Sequence, residues 1–230
     1  MALTVLITGA NRGIGLELAR QSAARGDRVI ATARRPGAAP DLVDLTDHKG
    51  DVEVRGVDVT DPVQLDALAA AERTAVDLVI CNAGQYIGRG GPEDPAYDRD
   101  AWQSTLMTNV AGPFFTVRAF LPNLARSTSP RVAIISSIMA SSERAPGKSY
   151  IYRASKAAAT NLARNLAADL AERGIAVGAY HPGWVRTGMG GGSADISAAE
   201  SAEGLLARFD ALSMNTTGVF EDYRGETMPF

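Results

Sequence analysis

Short apolar runs alternate along this chain with longer stretches in which apolar residues return every three or four positions. Leu3–Thr8 (LTVLIT) is short, rich in branched side chains and followed by a glycine turn, which reads as a buried strand. Arg28–Ala33, Val52–Val57, Val76–Cys81, Arg131–Ser136 and Ile175–Tyr180 have the same character, and Gly218–Phe220 is a short seventh candidate. Helical spacing fills the intervals: Ile14–Arg25, Asp61–Glu72, and two long stretches, Trp102–Ala125 and Arg153–Arg173. Pro62 suits the first turn of its helix, with Thr60 or Asp61 as N-cap, and Gly174 suits the end of the Arg153–Arg173 helix. Strand and helix in strict alternation predict βαβ units with right-handed crossovers. The expected fold is α/β, a Rossmann-type doubly wound parallel sheet of about seven strands with helices on both faces. Pro and Gly concentrate at 34–40, 88–95 and 188–192, each the length of a loop, so residues 1–230 read as a single domain with no linker.

Composition narrows the class. The chain has 230 residues, 46% of them hydrophobic, and a formal charge of −3, which suits a soluble globular protein without the basic footprint of nucleic-acid or anionic-membrane binding. One cysteine, Cys81, excludes an internal disulfide and suits a reducing compartment. No apolar run is long enough for a membrane span, and the N-terminus has no signal-peptide pattern, so the expectation is a cytoplasmic protein. No His/Cys/Asp cluster has metal-ligand spacing. His48, in a polar stretch, reads as solvated, and His181, before a proline, as structural.

The first strand runs into Thr8-Gly9-Ala10-Asn11-Arg12-Gly13-Ile14-Gly15. Glycines at this spacing permit a tight turn, let backbone N–H groups approach a pyrophosphate and aim a helix N-terminus at it. The second strand ends at Ala33, where an NAD site carries an acid for the ribose 2′-hydroxyl. Arg34 and Arg35 follow instead, and Arg12 lies in the glycine turn. Guanidinium groups without the acid suit a 2′-phosphate, so the cofactor expected is NADP(H).

Tyr152 and Lys156 stand four apart, on one face of a predicted helix. An ammonium beside a phenol favours phenolate, so the pair predicts a Tyr152 with a lowered pKa, fit to exchange a proton with an alcohol or carbonyl. Ser136 and Ser137 end a strand at the sheet edge where such folds bind ligands.

Taken in order, TGANRGIG (8–15), NAG (82–84), Asn109, ISS (135–137), YRASK (152–156) and HPGWVRT (181–187) resemble the short-chain dehydrogenase/reductase superfamily, with a looser likeness to its C-factor and sniffer-like carbonyl reductase branch. The resemblance implies roles. Tyr152 would be general acid in reduction and base in oxidation, and Lys156 would hold the nicotinamide ribose. Ser137 would orient the substrate oxygen, and Asn109 would position a water leading from Lys156. Gly9, Asn11, Arg12, Gly13, Ile14, Gly15 and Arg34 would contact the phosphates and ribose of the adenosine half. Asp58, Val59, Asn82, Ala83 and Gly84 would line the adenosine side. Pro182, Gly183, Val185 and Thr187 would meet the nicotinamide amide and phosphates. Tyr152 follows Ser137 by more residues than is usual in the family, and Cys81 stands where the family carries an Asn; Cys81 reads as a core residue.

The stretch after Thr187 is short and glycine-rich, which predicts a sparse cover over the substrate, with Tyr86, Met139, Trp184 and Met189 as candidate apolar walls. The two long helices pair into a dimer interface in many relatives, so a homodimer is expected. The function expected is hydride transfer between NADP(H) and a small carbonyl or alcohol. The alternatives are a nucleotide-binding signalling protein of the C-factor type and a 3-oxoacyl reductase; the latter lacks an apparent basic patch for an acidic carrier.

Overall fold

The computed structural model describes residues 2–47 and 51–230, so His48 lies outside the described residues. Seven strands form one parallel sheet in the order β3-β2-β1-β4-β5-β6-β7. They are β1 (Thr4–Thr8), β2 (Arg28–Ala33), β3 (Val52–Gly56), β4 (Leu78–Cys81), β5 (Arg131–Ile135), β6 (Ala176–His181) and β7 (Phe220–Asp222). The helices are α1 (Gly13–Ala24), α2 (Pro40–Val43), α3 (Pro62–Ala71), α4 (Arg99–Leu106), α5 (Gly112–Leu124), α6 (Tyr150–Leu170) and α7 (Ala198–Ala211). The strand order reverses at β1, which pairs with β2 on one side and β4 on the other. A crevice opens at such a reversal, beyond the carboxyl ends of the strands.

The strands other than edge strand β3 are largely buried on both faces, and their residues divide by parity between two cores. Leu6, Val79, Cys81, Val132, Ile134 and Val177 pack with Val117, Phe120, Ala159 and Ala163 of α5 and α6. Val5, Ile7, Leu78, Ile80, Ala133 and Ile135 pack on the other face, with Leu16 and Leu18 of α1 and Leu205, Leu206 and Phe209 of α7. A period of two with both faces apolar is why the strands read as continuous hydrophobic runs. Cys81 is buried in the first core, its thiol pushed up to about 12 by desolvation, which fits a packing role.

Several elements differ from the sequence reading: the short α2 was not expected, and α6 starts at Tyr150, three residues before the expected Arg153, which brings Tyr152 into the helix. The expected Trp102–Ala125 helix begins earlier, at Arg99, capped by the Asp98 carboxylate, and a wider π turn at Met107–Ala111 divides it into α4 and α5. Pro113 has no N–H to give the carbonyl of Asn109, and its ring crowds that carbonyl, so the regular ladder cannot continue there. Helix α7 was not expected. Ser197 accepts a hydrogen bond from the Glu200 N–H at its start, and Leu205, Leu206 and Phe209 recur at helical spacing behind it. The seventh strand lies two residues later than expected: Gly218, at φ +85°, and Val219 already bond to Val177 and Ala179 of β6, and the regular ladder begins at Phe220. Asp61, not Thr60, caps α3, accepting from the Val63 and Gln64 N–H groups. No helix among the described residues is long and apolar enough to cross a membrane.

Candidate active site

The ends of β1 and β4 are laced together under the glycine turn. The Asn82 side-chain amide donates to the carbonyls of Thr8 and Gly9, both at 3.0 Å, while the Thr8 hydroxyl accepts from the Asn82 and Ala83 N–H groups at 3.1 Å. Gly9 has φ +66°, and a Cβ there would lie 2.8 Å from the Ala83 Cα. A Cβ on Gly15 would lie 2.3 Å from the Gly9 carbonyl oxygen and 2.4 Å from Asn82 Nδ2. Only glycine lets α1 approach this turn so closely. No side chain caps the N-terminus of α1 and no acid stands in its first turn, so its N–H groups and positive dipole end are open to an anion.

A cleft of about 580 Å³ runs over this turn along the sheet edge. Arg34 and Arg35, following β2, line one end of it, and Arg12 lines it from the glycine turn with its Nη1 beside Gly188; all three are exposed, and among the described residues none of them forms an ion pair. Ala33 lies in the same wall. Asp58 also faces the cleft, with one carboxylate oxygen held by the N–H and hydroxyl of Thr60 at 2.9 and 2.8 Å.

At the other end lie Tyr152 and Lys156, both on α6 and both buried. Lys156 Nζ donates to the Ile135 carbonyl at 2.7 Å and lies 5.7 Å from the centre of the Tyr152 ring. Burial lowers the Lys156 pKa to about 8. The expected lowering of the Tyr152 pKa is not present: the hydroxyl is pushed up to about 12. Desolvation is the main cause, the Tyr86 hydroxyl adds to it, and Ser137 and Arg89 oppose it without overcoming it. The reason is geometric. The ring of Tyr86 stacks on Tyr152 with centroids 4.1 Å apart and excludes water from it, while the ammonium of Lys156 is turned to a backbone carbonyl.

The two adjacent serines have different partners. The Ser136 hydroxyl is spent on α6, bonded to the Thr160 hydroxyl at 2.5 Å and the Lys156 carbonyl at 3.2 Å. The Ser137 hydroxyl accepts the Met139 N–H at 3.1 Å and interacts with Tyr152. Asn109, in the π turn, is fully buried, donating to the Gln85 carbonyl and the Ser155 hydroxyl at 2.9 Å and accepting the Gln85 N–H at 2.9 Å. It lies beside Lys156 across Gly84: a Cβ on Gly84 would be 3.4 Å from Asn109 Oδ1 and 3.6 Å from Lys156 Nζ.

Most residues assigned from the sequence thus meet in one cleft: Gly9, Asn11, Arg12, Gly13, Ile14, Gly15, Arg34, Asp58, Val59, Asn82, Ala83, Gly84, Tyr152, Lys156, Pro182 and Thr187 all line it. Asn109 and Ser137 stand just behind that lining. Gly183 and Val185 are not part of it. Val185 is buried and bridges to Ile196, and Gly183, at φ +85°, packs its backbone against Ile196 and Tyr223. Both shape the turn that presents Pro182 and Thr187. Burial takes the His181 pKa to about 4, so the imidazole is neutral at pH 7, as a structural histidine would be. Of the four candidate walls, Met189 lines the cleft and Tyr86 covers Tyr152. Gln85, Thr108 and Arg186 also line it. Gln85 and Thr108 adjoin the NAG and Asn109 motifs, and that adjacency was the available signal.

Residues 3–196 match the family described as short chain dehydrogenase. Among solved structures, the NADPH-bound carbonyl reductase from chicken fatty liver is 30% identical with a TM-score of 0.91, and the carbonyl reductase Sniffer of D. melanogaster is 26% identical with a TM-score of 0.92; each alignment covers 100% of both chains. The C-signal protein of Myxococcus xanthus is 38% identical over 127 residues, which is 55% of this chain and 76% of that protein. With the family model matching most of its length, the chain belongs to the short-chain dehydrogenase family of oxidoreductases.

Proposed function

We propose that this chain is an NADP(H)-dependent oxidoreductase that interconverts a carbonyl compound and its alcohol. The observation that carries the reading is the distribution of chemistry along one cleft: arginines that form no ion pair among the described residues, with Arg34 and Arg35 at one end, and the buried Tyr152, Lys156, Ser137 and Asn109 at the other. The residues present fit a dinucleotide phosphate. Gly9 and Gly15 leave a cradle that side chains would fill, the α1 N-terminus is open above it, and Arg12, Arg34 and Arg35 offer bidentate donors where Ala33 replaces the acid. When bound, the nicotinamide supplies or accepts the hydride.

The protein's own part is orientation and proton movement. Tyr152, with its pKa near 12, holds its proton throughout the neutral range and stands as the donor to a carbonyl oxygen. Ser137, interacting with the same hydroxyl, fixes where that oxygen lies. Lys156, charged below its pKa of about 8, would donate to the ribose hydroxyls of the bound dinucleotide with the donors its bond to the Ile135 carbonyl leaves over. Asn109 holds the Gln85 backbone and Ser155 beside Lys156, and the reading gives it the placing of a water that would lead from the lysine.

The reading is tested by offering the purified chain NADPH and a panel of aldehydes and ketones. NADPH consumption with at least some of them is expected. Binding of NADPH without turnover of any would favour the nucleotide-sensing alternative. The same assay carries a pH signature. In kcat/KM for NADPH, which reports groups of the free protein, Lys156 loses its charge as the pH rises through about 8. The profile is therefore expected to be level below that point and to fall above it; a level profile through this region contradicts the role given to Lys156.

A cytoplasmic homodimer completes the reading. Trp102 and Leu106 of α4, Phe114 of α5 and Tyr150 of α6 expose 37–41% of their surface, on helices that the long-helix expectation assigned to a dimer contact. Light scattering is expected to give twice the chain mass, and the monomer mass would remove this part of the proposal.

A further inference from the structure

The loop between β4 and α4 carries Arg89, whose charge is felt at Tyr152. Arg89 lies over the ring of Tyr86 with its guanidinium carbon 4.3 Å from the ring centre. The other face of Tyr86 is taken by Tyr152. Arginine, Tyr86 and Tyr152 thus form three stacked layers. Arg89 Nη2 donates to the carbonyl of Met189, at 2.6 Å, across the cleft mouth. Tyr86 is pinned by a 2.6 Å bond to the Ser149 hydroxyl, and the backbone around Arg89 is fixed as well. Gly88, at φ +70°, leaves room that the Tyr97 ring fills, and the Gly90 carbonyl accepts from the Tyr97 hydroxyl and the Ser149 N–H.

The guanidinium is exposed and makes no ion pair among the described residues. The neighbouring acid, Asp94, is turned to the backbone N–H groups of Arg89, Gly90 and Ala96. The field of the Arg89 guanidinium reaches the Tyr152 hydroxyl, where it favours the ionised form. With Nη2 on the Met189 carbonyl, Nε and Nη1 of the stacked guanidinium are the edge donors left for a planar anion, and the plane is held about two stacking distances from the Tyr152 ring.

We propose that Arg89, carried on Tyr86, is a specificity-determining residue that binds a carboxylate of the substrate, so that the preferred substrates are carbonyl compounds bearing a carboxylate a few bonds from the carbonyl carbon. This rests on the carbonyl–alcohol reading above. The arrangement gives the substrate two anchors, its carbonyl oxygen at Tyr152 and Ser137 and its anion at Arg89, with Met189 and Tyr86 as walls between them.

The test compares 4-formylbenzoate with the neutral, near-isosteric 4-formylbenzamide in wild type, Arg89→Met and Arg89→Lys. Wild type is expected to show a KM about tenfold lower for the carboxylate, the size of a charge-assisted hydrogen bond to an exposed group. In Arg89→Met the ratio of the two KM values is expected to collapse towards one, and Arg89→Lys to restore part of it. A ratio equal in wild type and Arg89→Met, or no preference in wild type, overturns the proposal, and a purely structural role would move both KM values together. Should neither aldehyde be reduced, the activity reading fails and this one is still read: NADP⁺-loaded wild type is expected to bind benzoate about tenfold more tightly than benzamide, and Arg89→Met to lose that difference.

Discussion

Tyr152→Phe is expected to remove carbonyl reduction, by a factor of about 10² to 10⁴, while leaving NADPH affinity within about twofold. The substitution deletes one oxygen from a ring that Tyr86 stacks on at 4.1 Å and that burial already holds in place, so the aromatic volume and the fold are kept. What is lost is the hydroxyl that interacts with Ser137. Lys156 still donates to the Ile135 carbonyl, and the glycine cradle lies at the far end of the cleft. The loss should therefore appear in kcat and not in cofactor binding. Steady-state kinetics and a fluorescence titration of NADPH separate the two, and retained turnover would end the acid–base assignment.

Arg34→Ala is expected to weaken NADPH by about tenfold and NADH hardly at all, and Arg12→Ala in the same chain to deepen the difference. Arg34 is exposed and forms no ion pair among the described residues, so its removal leaves no buried partner without a mate and should not unfold the protein. Exposure also makes the contribution sensitive to salt, so the discrimination between the two cofactors should narrow as ionic strength rises. Calorimetric titration of both cofactors checks this. Equal weakening of both would remove the 2′-phosphate role from this end of the cleft.

The parts of the fold that were legible are those where a local pattern is enforced by burial. β1, β2 and β5 read directly because both faces of a central parallel strand are apolar, and α3 because Asp61 and Pro62 mark its start chemically. α7 was overlooked because the glycine-rich stretch before it suggested a loop, although Ser197, Glu200 and the Leu205–Phe209 spacing carried the signal. The π turn at Asn109 was hidden in an unbroken helical period, with Pro113 as its one local cause. The site was legible where glycines and one tyrosine–lysine spacing fix the backbone. The protonation of that pair was not, because it depends on Tyr86, which arrives from another loop, covers Tyr152 and excludes water. Arg89 escaped notice for the same reason, since only the fold brings it over Tyr86.

The central claim is that hydride passes between a nicotinamide and a carbonyl carbon in this cleft. It is tested most directly by supplying NADPH deuterated at the transferring position of its ring together with an aldehyde, and weighing the product by mass spectrometry. The expected result is an alcohol carrying one deuterium at the former carbonyl carbon, absent from the product of Tyr152→Phe within the same time. NADPH that binds the protein while the aldehyde stays unreduced and unlabelled would contradict the account.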